Sequence, residues 1–409
     1  MNLVLTAPTG SGPGSTATDR PAPDAGRPIS GWAFLGVTVT SLGGPLALAA
    51  LYAPNIVGDA SASAGLATLA AAVVFGAPLL VWLRYSSQIA NAGGLYAFVE
   101  AAAGRRVALV QAALWIGSYL LYLLYTTAAI VYDTLPTVLP GVRGYQPALE
   151  IAIPVVLAAV MLAGRAATLA VTGILATGQM ALVGVLATLA ATHHAPVASF
   201  GAGAPAGALA TASGQTALLY ICGSLPLFLG GEVARPATRT VRRGLVGGYL
   251  LVAAGVVAAV FPLAAEPGFT RAPIPGMAVA QAYSGHSLAV AVGIGTAVSI
   301  AGVMLVEYLA LSRLIHAVSR RPTRSVVRGL AVALVATAPI TLLDPRGLYY
   351  DLLKPSLIAL WLSQLIVFAV YPRFAAQRSA RPMPAWILTA AASAFAVYGM
   401  WATVRHITS

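Results

Sequence analysis

The chain has 409 residues, of which 59% are hydrophobic and only 8% are charged. Soluble globular domains carry about 25% charged residues, so this composition predicts a polytopic membrane protein. The formal net charge of +12 does not indicate a nucleic-acid partner, because the basic residues separate apolar runs and form no stripe. The one cysteine, Cys222, excludes an intramolecular disulfide and a cysteine-based metal cluster.

Residues 1–30 are rich in Pro, Gly, Ser, Thr and Ala. Such a composition cannot bury enough apolar surface to fold, so it predicts a disordered cytoplasmic tail. The segment lacks the apolar core of a cleaved signal peptide. The first apolar run that follows is therefore expected to direct its own insertion.

The rest of the chain divides into apolar runs of the length that crosses a bilayer as a helix. We predict an all-α integral membrane protein with eleven spans. They lie near residues 31–53, 62–83, 106–132, 147–164, 167–192, 215–234, 244–265, 287–317, 326–343, 352–372 and 385–404.

The basic residues test this count, because cytoplasmic loops carry the excess of Lys and Arg. With a cytoplasmic N-terminus, most of the 23 basic residues fall in cytoplasmic segments. The exceptions are Arg143, Arg271, Arg346, Lys354 and Arg405. We therefore expect a multi-pass protein of the plasma membrane with an extracellular C-terminus.

Two of the spans contain residues that interrupt a helix. Ser41, Gly43, Gly44 and Pro45 lie in the first span, and Cys222, Gly223 and Ser224 precede a proline in the sixth. Two interrupted spans five apart predict a transporter with inverted repeats, in which the unwound backbone binds the substrate. Kinks packed against small residues are the alternative for either run alone.

Three short motifs lie on the expected spans. Gly93-Gly94-Leu95-Tyr96-Ala97-Phe98 precedes the third span, Glu232-Val233-Ala234-Arg235-Pro236 follows the sixth, and Ser312-Arg313-Leu314-Ile315-His316-Ala317 ends the eighth. Over about residues 31–325 the chain resembles the amino acid–polyamine–organocation (APC) superfamily of permeases. The last third resembles the superfamily only in its pattern of spans.

The resemblance implies a leucine-transporter-like fold with a five-plus-five inverted repeat. Spans 1–5 would form the first repeat at 31–192, spans 6–10 the second at 215–372, and residues 385–409 an additional span and the C-terminus. It also implies alternating access around a site between spans 1, 3, 6, 8 and 10. Substrates of the superfamily are mostly amino acids and amines.

The chain departs from the superfamily pattern in three places. Gly43-Gly44-Pro45 replaces the Gly-x-Gly of the first span, and Ser224 stands where several members carry an acid. Gln179 lies where proton-coupled members often carry a lysine. These departures weaken the expectation of a strongly cationic substrate and of proton coupling through the fifth span.

Glu307 is the one acid that we place well inside a span. An intramembrane carboxylate costs about 2.5–3.5 kcal/mol on insertion scales, so we expect it to face a cavity, to be paired or to be protonated. A proton or ion-coupling role and a structural contact, to neighbours of Tyr308 or to a cytoplasmic arginine, both remain open. Ser299 is a weaker candidate for a sodium-like site with the carbonyls of Gly36 or Val37.

Glu232 and Arg235 are three residues apart near the cytoplasmic end of the sixth span. This spacing predicts an ion pair on one helix face, acting as an inner gate or a structural contact. Trp115, Tyr119, Tyr122 and Tyr125 recur at helical spacing in the third span, so they share a face. That face either walls the substrate site or packs against the core or lipid.

The sequence contains no nucleophile–base set, phosphate loop or paired carboxylates, so we predict neither enzymatic activity nor a cofactor or metal site. We predict a secondary transporter of an amino acid or related small amine-bearing solute, coupled to H⁺ or Na⁺ or working by exchange. An exporter or exchanger of another organic solute, or a non-transporting receptor or scaffold, is the alternative. The oligomeric state stays open.

Overall fold

A computed structural model describes residues 27–193, 205–262, 267–377 and 382–405 of the chain. Regular secondary structure in these ranges is helical, and a parallel bridge pairs Ile29 with Val233. Most of the predicted tail at 1–30 and the chain's last four residues lie outside the described residues.

Within the described residues, eleven helical segments are long and apolar enough to cross a membrane, which confirms the predicted number. The chain is a multi-pass membrane protein. Spans 1 to 11 are, in order, Gly31–Val57, Ala64–Ser86, Arg105–Val138, Pro140–Leu162, Arg165–His193, Ala206–Glu232, Ala237–Val260, His286–Ser319, Thr323–Leu342, Asp351–Gln377 and Ala385–Arg405.

Several predicted boundaries are wrong by more than a helical turn, among them the starts of spans 4, 6 and 7 and the end of span 3. Span 6 begins at Ala206, not near residue 215, and span 3 continues to Val138, not 132. The first error arises because the added turns of span 6 consist of small and polar residues, which hydropathy alone does not assign to a membrane helix. This part of the chain is nevertheless helical, because it packs against span 2 and buries Ala212, Ser213 and Thr216.

Burial divides the spans into central and peripheral ones. In the most apolar part of spans 1, 6 and 8, 78%, 83% and 67% of the residues are buried, against 28% for spans 4 and 5. Peripheral spans expose large apolar side chains, such as Ile174 and Val332. In a bilayer these side chains contact lipid, so the interior of the bundle is the region around spans 1, 6 and 8.

Small residues let span 1 approach its neighbours closely. A side chain on Gly36 would lie 3.2 Å from the Cα of Gly173 in span 5, and one on Gly248 in span 7 would lie 2.6 Å from the Thr38 methyl group. Small residues at such crossings are the usual basis of helix association in membranes. Spans 5 and 7 therefore flank span 1, while spans 3 and 10 pack together beside the centre.

Among the described residues, two helices of nine and ten residues lie outside the spans, besides the four-residue helix Pro267–Thr270. The helix Leu95–Ala103 runs into span 3 after a break at Gly104, and most of its residues are buried against the bundle. The helix Pro275–Ser284 forms in the predicted loop between spans 7 and 8. It packs on spans 5 and 8 and on span 1 near Leu48–Tyr52, so this loop covers one end of the bundle.

Candidate functional site

Span 1 changes conformation at its two adjacent glycines. The α-helix ends at Ser41 and resumes at Pro45, and Gly43 and Gly44 between them have φ angles of 71° and 69°. This left-handed region favours glycine, because a Cβ atom clashes with the following carbonyl oxygen. Pro45 fits the first turn of the new helix, where a backbone N–H has no helical partner.

The two glycines contact different spans. A Cβ on Gly43 would lie 2.8 Å from the carbonyl oxygen of Leu219 in span 6, and one on Gly44 would lie 2.6 Å from Oγ of Ser299 in span 8. Both contacts are closer than real Cβ atoms make. The backbone at Leu42–Gly44, which we call the span 1 interruption, is thus enclosed by the two other central spans.

Span 6 also changes conformation near its middle. Its α-helix ends at Leu218, and Leu219–Glu232 continues as a 3-10 helix whose residues from Tyr220 to Gly230 are all buried. A Cβ on Gly223 would lie 2.7 Å from a Leu42 methyl group. Spans 1 and 6 therefore meet here, although Leu42, not the glycine pair, is the partner of Gly223.

The aromatic face of span 3 packs against this part of span 6. The ring centroids of Trp115 and Phe228 are 4.5 Å apart, and those of Trp115 and Tyr119 are 4.2 Å apart. The Tyr119 hydroxyl donates to Sγ of Cys222 at 3.8 Å. Trp115 and Tyr119 are fully buried, so this end of the predicted face lines the protein interior and does not contact lipid.

Span 10 contributes a polar group that the sequence analysis missed. Nε2 of Gln364 donates to Oγ of Ser224 at 3.3 Å, and its Oε1 is buried without a hydrogen-bond partner among the described residues. Gln364 could have been identified as an amide in the middle of an apolar run, where an uncompensated polar group is costly. Which span it faces depends on the packing alone.

Glu307 of span 8 is fully buried, and neither carboxyl oxygen has a hydrogen-bond partner among the described residues. It lies within electrostatic range of Tyr119, Tyr122 and Cys222. The predicted alternative of a cytoplasmic arginine as partner is not observed, because Arg313 binds another carboxylate. We refer to Tyr119, Cys222, Ser224, Glu307 and Gln364 as the central polar cluster.

Ser299 and Gln179 form a second polar contact beside the span 1 interruption. The Ser299 hydroxyl donates to Oε1 of Gln179 at 2.8 Å and accepts from the backbone N–H of Ala47 at 3.2 Å. The predicted grouping of Ser299 with Gly36 or Val37 is wrong, because Gly36 lies against span 5 two turns away along span 1. Ser299 instead fixes the start of the helix that follows the interruption.

Glu232 is the centre of an ion-pair network at the end of span 6. Arg313 donates to its carboxylate at 2.8 Å and Arg165 at 2.9 Å. Glu232 and Arg235 do not share a helix face as predicted, because the helix ends at Glu232 and Val233 is extended. We call Glu232, Arg165 and Arg313 the carboxylate network.

The segment that precedes span 1 is attached to this network. The Ile29 N–H donates to the Glu232 carbonyl oxygen at 2.8 Å, and the Ala234 N–H donates to that of Ile29 at 2.9 Å. Arg165 also donates to the backbone carbonyl of Arg27. Spans 1, 5, 6 and 8 are thereby held together at one end of the bundle.

A second buried acid corrects the expectation that Glu307 alone lies inside a span. Glu150 of span 4 is fully buried, and its Oε1 accepts a hydrogen bond from the Thr341 hydroxyl of span 9. The predicted span had Glu150 near its end, where solvent would reach it. Spans 4 and 9 pack together at the periphery, and the hydrogen-bond partner of Glu150 there is Thr341, which is not part of the central polar cluster.

The sequence matches no known family model, and no curated protein resembles it significantly. The functional interpretation therefore depends on the geometry of the site.

Proposed function

We propose that this chain is a secondary transporter of the APC type that moves an amino acid or a related small amine-bearing solute by alternating access. The observation that carries the proposal is the carboxyl group of Glu307, which is fully buried beside the 3-10 segment of span 6 and has no hydrogen-bond partner among the described residues. A carboxyl group in hydrocarbon surroundings requires a proton or a cation to offset its burial. An ammonium group or a coupling proton meets this requirement.

The backbone of spans 1 and 6 supports a solute site next to this carboxyl. Non-helical backbone at membrane depth is tolerated where it lines a cavity or is buried in protein. The span 1 interruption and the 3-10 segment of span 6 are such backbone, and they meet at Leu42 and Gly223. In the proposed mechanism, Ser41, Gly43, Gly44 and Ser224 bind the solute's carboxylate, while Trp115 and Tyr119 wall the site.

The span 1 interruption and the 3-10 segment of span 6 lie at equivalent places in the chain, which supports the proposed five-plus-five repeat. Each falls in the first span of a five-span half, as inverted-repeat transporters place their discontinuous helices. The repeats would comprise spans 1–5 and 6–10, with span 11 as an addition. Broken helices 1 and 6 would then be the hinge elements of the cycle.

The carboxylate network suits the role of a gate at the end that the basic loops predict to be cytoplasmic. It joins spans 1, 5, 6 and 8 through two ion pairs and the bridge at Ile29. These contacts must separate if the solute is to leave at that end. In the proposed cycle, the observed arrangement would be a state closed at the network end.

Counterflow in proteoliposomes tests the proposal. Vesicles containing the purified protein are loaded with a mixture of unlabelled amino acids and simple amines, and uptake of each labelled member is measured with and without pH and sodium gradients. We expect one class of zwitterionic or cationic solute to accumulate. Failure of every member to accumulate, with folded protein in the vesicles, would refute the amino-acid and amine assignment.

The same assay separates the alternatives. Accumulation that requires a loaded counter-solute and ignores both gradients identifies an exchanger. Accumulation driven by an imposed pH or sodium gradient identifies a coupled transporter. High-affinity binding of a solute without any counterflow would favour the receptor alternative.

A further inference from the structure

A cavity of about 550 Å³ opens at the end of the bundle opposite the carboxylate network. On the predicted topology this is the extracellular end. Its walls come from span 1, the end of span 3, the start of span 4 and the loop before the helix Pro275–Ser284. The cavity is separate from the central polar cluster, none of whose residues lines it.

The two π-helical turns in the described residues both line this cavity. They are Leu48–Tyr52 in span 1 and Ala129–Thr134 in span 3. A π-turn inserts one residue into an α-helix, displaces the side chains around it, and recurs at functional sites. Here the turns contribute Leu51 from span 1 and Asp133 from span 3.

The cavity carries one negative and one positive side chain. Asp133 and Arg143 both line it and are exposed, and within the described residues neither forms an ion pair. Gln146 lies on the same wall and donates to the Val131 carbonyl oxygen at 3.2 Å. A carboxylate and a guanidinium that are not paired with each other present opposite charges to one occupant.

The rest of the lining combines four apolar side chains with the hydroxyl groups of Tyr132, Thr134 and Thr137. Leu51, Pro136, Pro273 and Ile274 provide a surface without hydrogen-bond donors in their side chains. Ligand sites commonly combine an apolar wall with a few polar groups that fix orientation. Such a wall suits an aliphatic side chain, and the two charges suit the ends of a zwitterion.

We propose that this cavity is a binding site for a zwitterionic amino acid with an aliphatic side chain. Asp133 binds the ammonium group, Arg143 binds the carboxylate in a charge-assisted contact, and the wall at Leu51 and Ile274 receives the side chain. The proposal rests on the charges of the cavity and not on transport.

Equilibrium binding of labelled L-leucine to the purified full-length protein tests the site. The measurement is made on Glu307→Gln protein, so that the central polar cluster contributes least to binding. Isopentylamine and 4-methylpentanoate, which are leucine without its carboxyl and without its amino group, serve as competitors. We expect L-leucine to compete at least about tenfold more strongly than either, because each analogue leaves one charge of the site unpaired.

Neutralising either charge is expected to weaken L-leucine binding about tenfold or more. The variants are Asp133→Asn and Arg143→Gln, and Asp351→Asn, an exposed acid outside the cavity, is the matched control. The double exchange Asp133→Arg with Arg143→Asp is expected to recover part of the affinity, because a zwitterion can bind in reverse. Recovery also shows that weak binding of a single variant is not caused by misfolding.

Three results would overturn the proposal. They are the absence of L-leucine binding in the parent protein, binding by either neutralised variant within twofold of the control, and equal competition by the two singly charged analogues. Counterflow reports separately on the proposed function. Intact binding at this site without counterflow would refute transport alone, and counterflow that is insensitive to Asp133→Asn, with no leucine site, would refute only the cavity site.

Discussion

Glu232 and Glu307 lie in surroundings that differ in burial and in the hydrogen-bond partners they offer. Glu232 accepts from two arginines at 2.8 and 2.9 Å and keeps 18% of its side chain exposed. Glu307 is fully buried, with no hydrogen-bond partner among the described residues. The first is a satisfied ion pair near a membrane surface, whereas the second is an unsatisfied carboxyl in the bundle interior.

This contrast distinguishes an acid that stabilises the fold from an acid that serves function. Removing one member of a buried pair leaves uncompensated charge, so the pair stabilises the fold relative to either single variant. An acid without a partner contributes no such stability. Its retention in the interior is better explained by binding a proton or a cation during function.

The largest effect is expected from Glu307→Gln. This change keeps the size and polarity of the side chain but removes its ability to carry a charge or a titratable proton. We expect accumulation in the counterflow assay to fall to background and thermal unfolding to stay within a few degrees of the parent. Glu307→Asp, which keeps the acid on a shorter chain, should retain measurable transport.

A Glu307→Gln protein that transports like the parent would refute a functional role for this carboxyl group. A large loss of stability would instead assign this carboxyl a structural role. The two readouts, uptake and thermal unfolding, are measured on the same preparation. The uptake result therefore tests the functional role of Glu307, and the unfolding result tests its structural role.

The same change from Glu to Gln at residue 232 should act mainly on stability. We expect Glu232→Gln to lower the free energy of unfolding by about 3 kcal/mol, because it leaves Arg165 and Arg313 without their shared acceptor. Arg165→Gln should cost less, since its side chain is 20% exposed, against 6% for Arg313. Denaturant titration in detergent measures both.

A Glu232→Gln protein as stable as the Glu307→Gln protein would abolish the contrast between the two acids. If Arg165→Gln proved as costly as Arg313→Gln, the degree of burial would not control the strength of these pairs. Asp351→Asn, an exposed acid, gives the baseline for loss of one charge.

A smaller effect is expected from a change in the backbone of the span 1 interruption. Gly44→Ala places a methyl group 2.6 Å from Oγ and 2.8 Å from the carbonyl oxygen of Ser299, at a φ of 69°. The left-handed backbone alone costs about 1–2 kcal/mol, so we expect a loss of about 2 kcal/mol in stability together with reduced uptake. Gly178→Ala is the matched control, because a Cβ at Gly178 meets nothing within 4 Å.

If Gly44→Ala left both stability and uptake unchanged, the span 1 interruption would not require its left-handed glycine. A loss of uptake with full stability would show that the backbone conformation matters for function more than for folding. Thermal unfolding and counterflow on the two alanine variants distinguish these results.

Much of the fold could be predicted from the sequence because hydropathy and charge act locally. The number of spans follows from runs of apolar residues, which the bilayer requires to be helical. The errors occur where packing replaces hydropathy as the cause of burial. The Ala-rich start of span 6 is one case, and the buried Glu150 that binds Thr341 of span 9 is another.

The candidate site was only partly predictable for the same reason. Gly43 and Gly44 could be identified because a glycine pair before a proline has few other uses in an apolar helix. Their partners, Leu219 and Ser299, could not, since these lie far along the chain and depend on how three helices cross.

Hydropathy and loop charge are enough to predict a helical membrane protein with eleven spans, and residue type alone identifies Glu307, Glu232 and the two glycines as unusual. The partners of these residues follow from the packing of the helices. Glu232 pairs with Arg165 and Arg313, which lie far from it along the chain, and Glu307 has no hydrogen-bond partner among the described residues. Helical periodicity fixes which residues share a face, but the rotation and crossing of packed helices fix what that face meets.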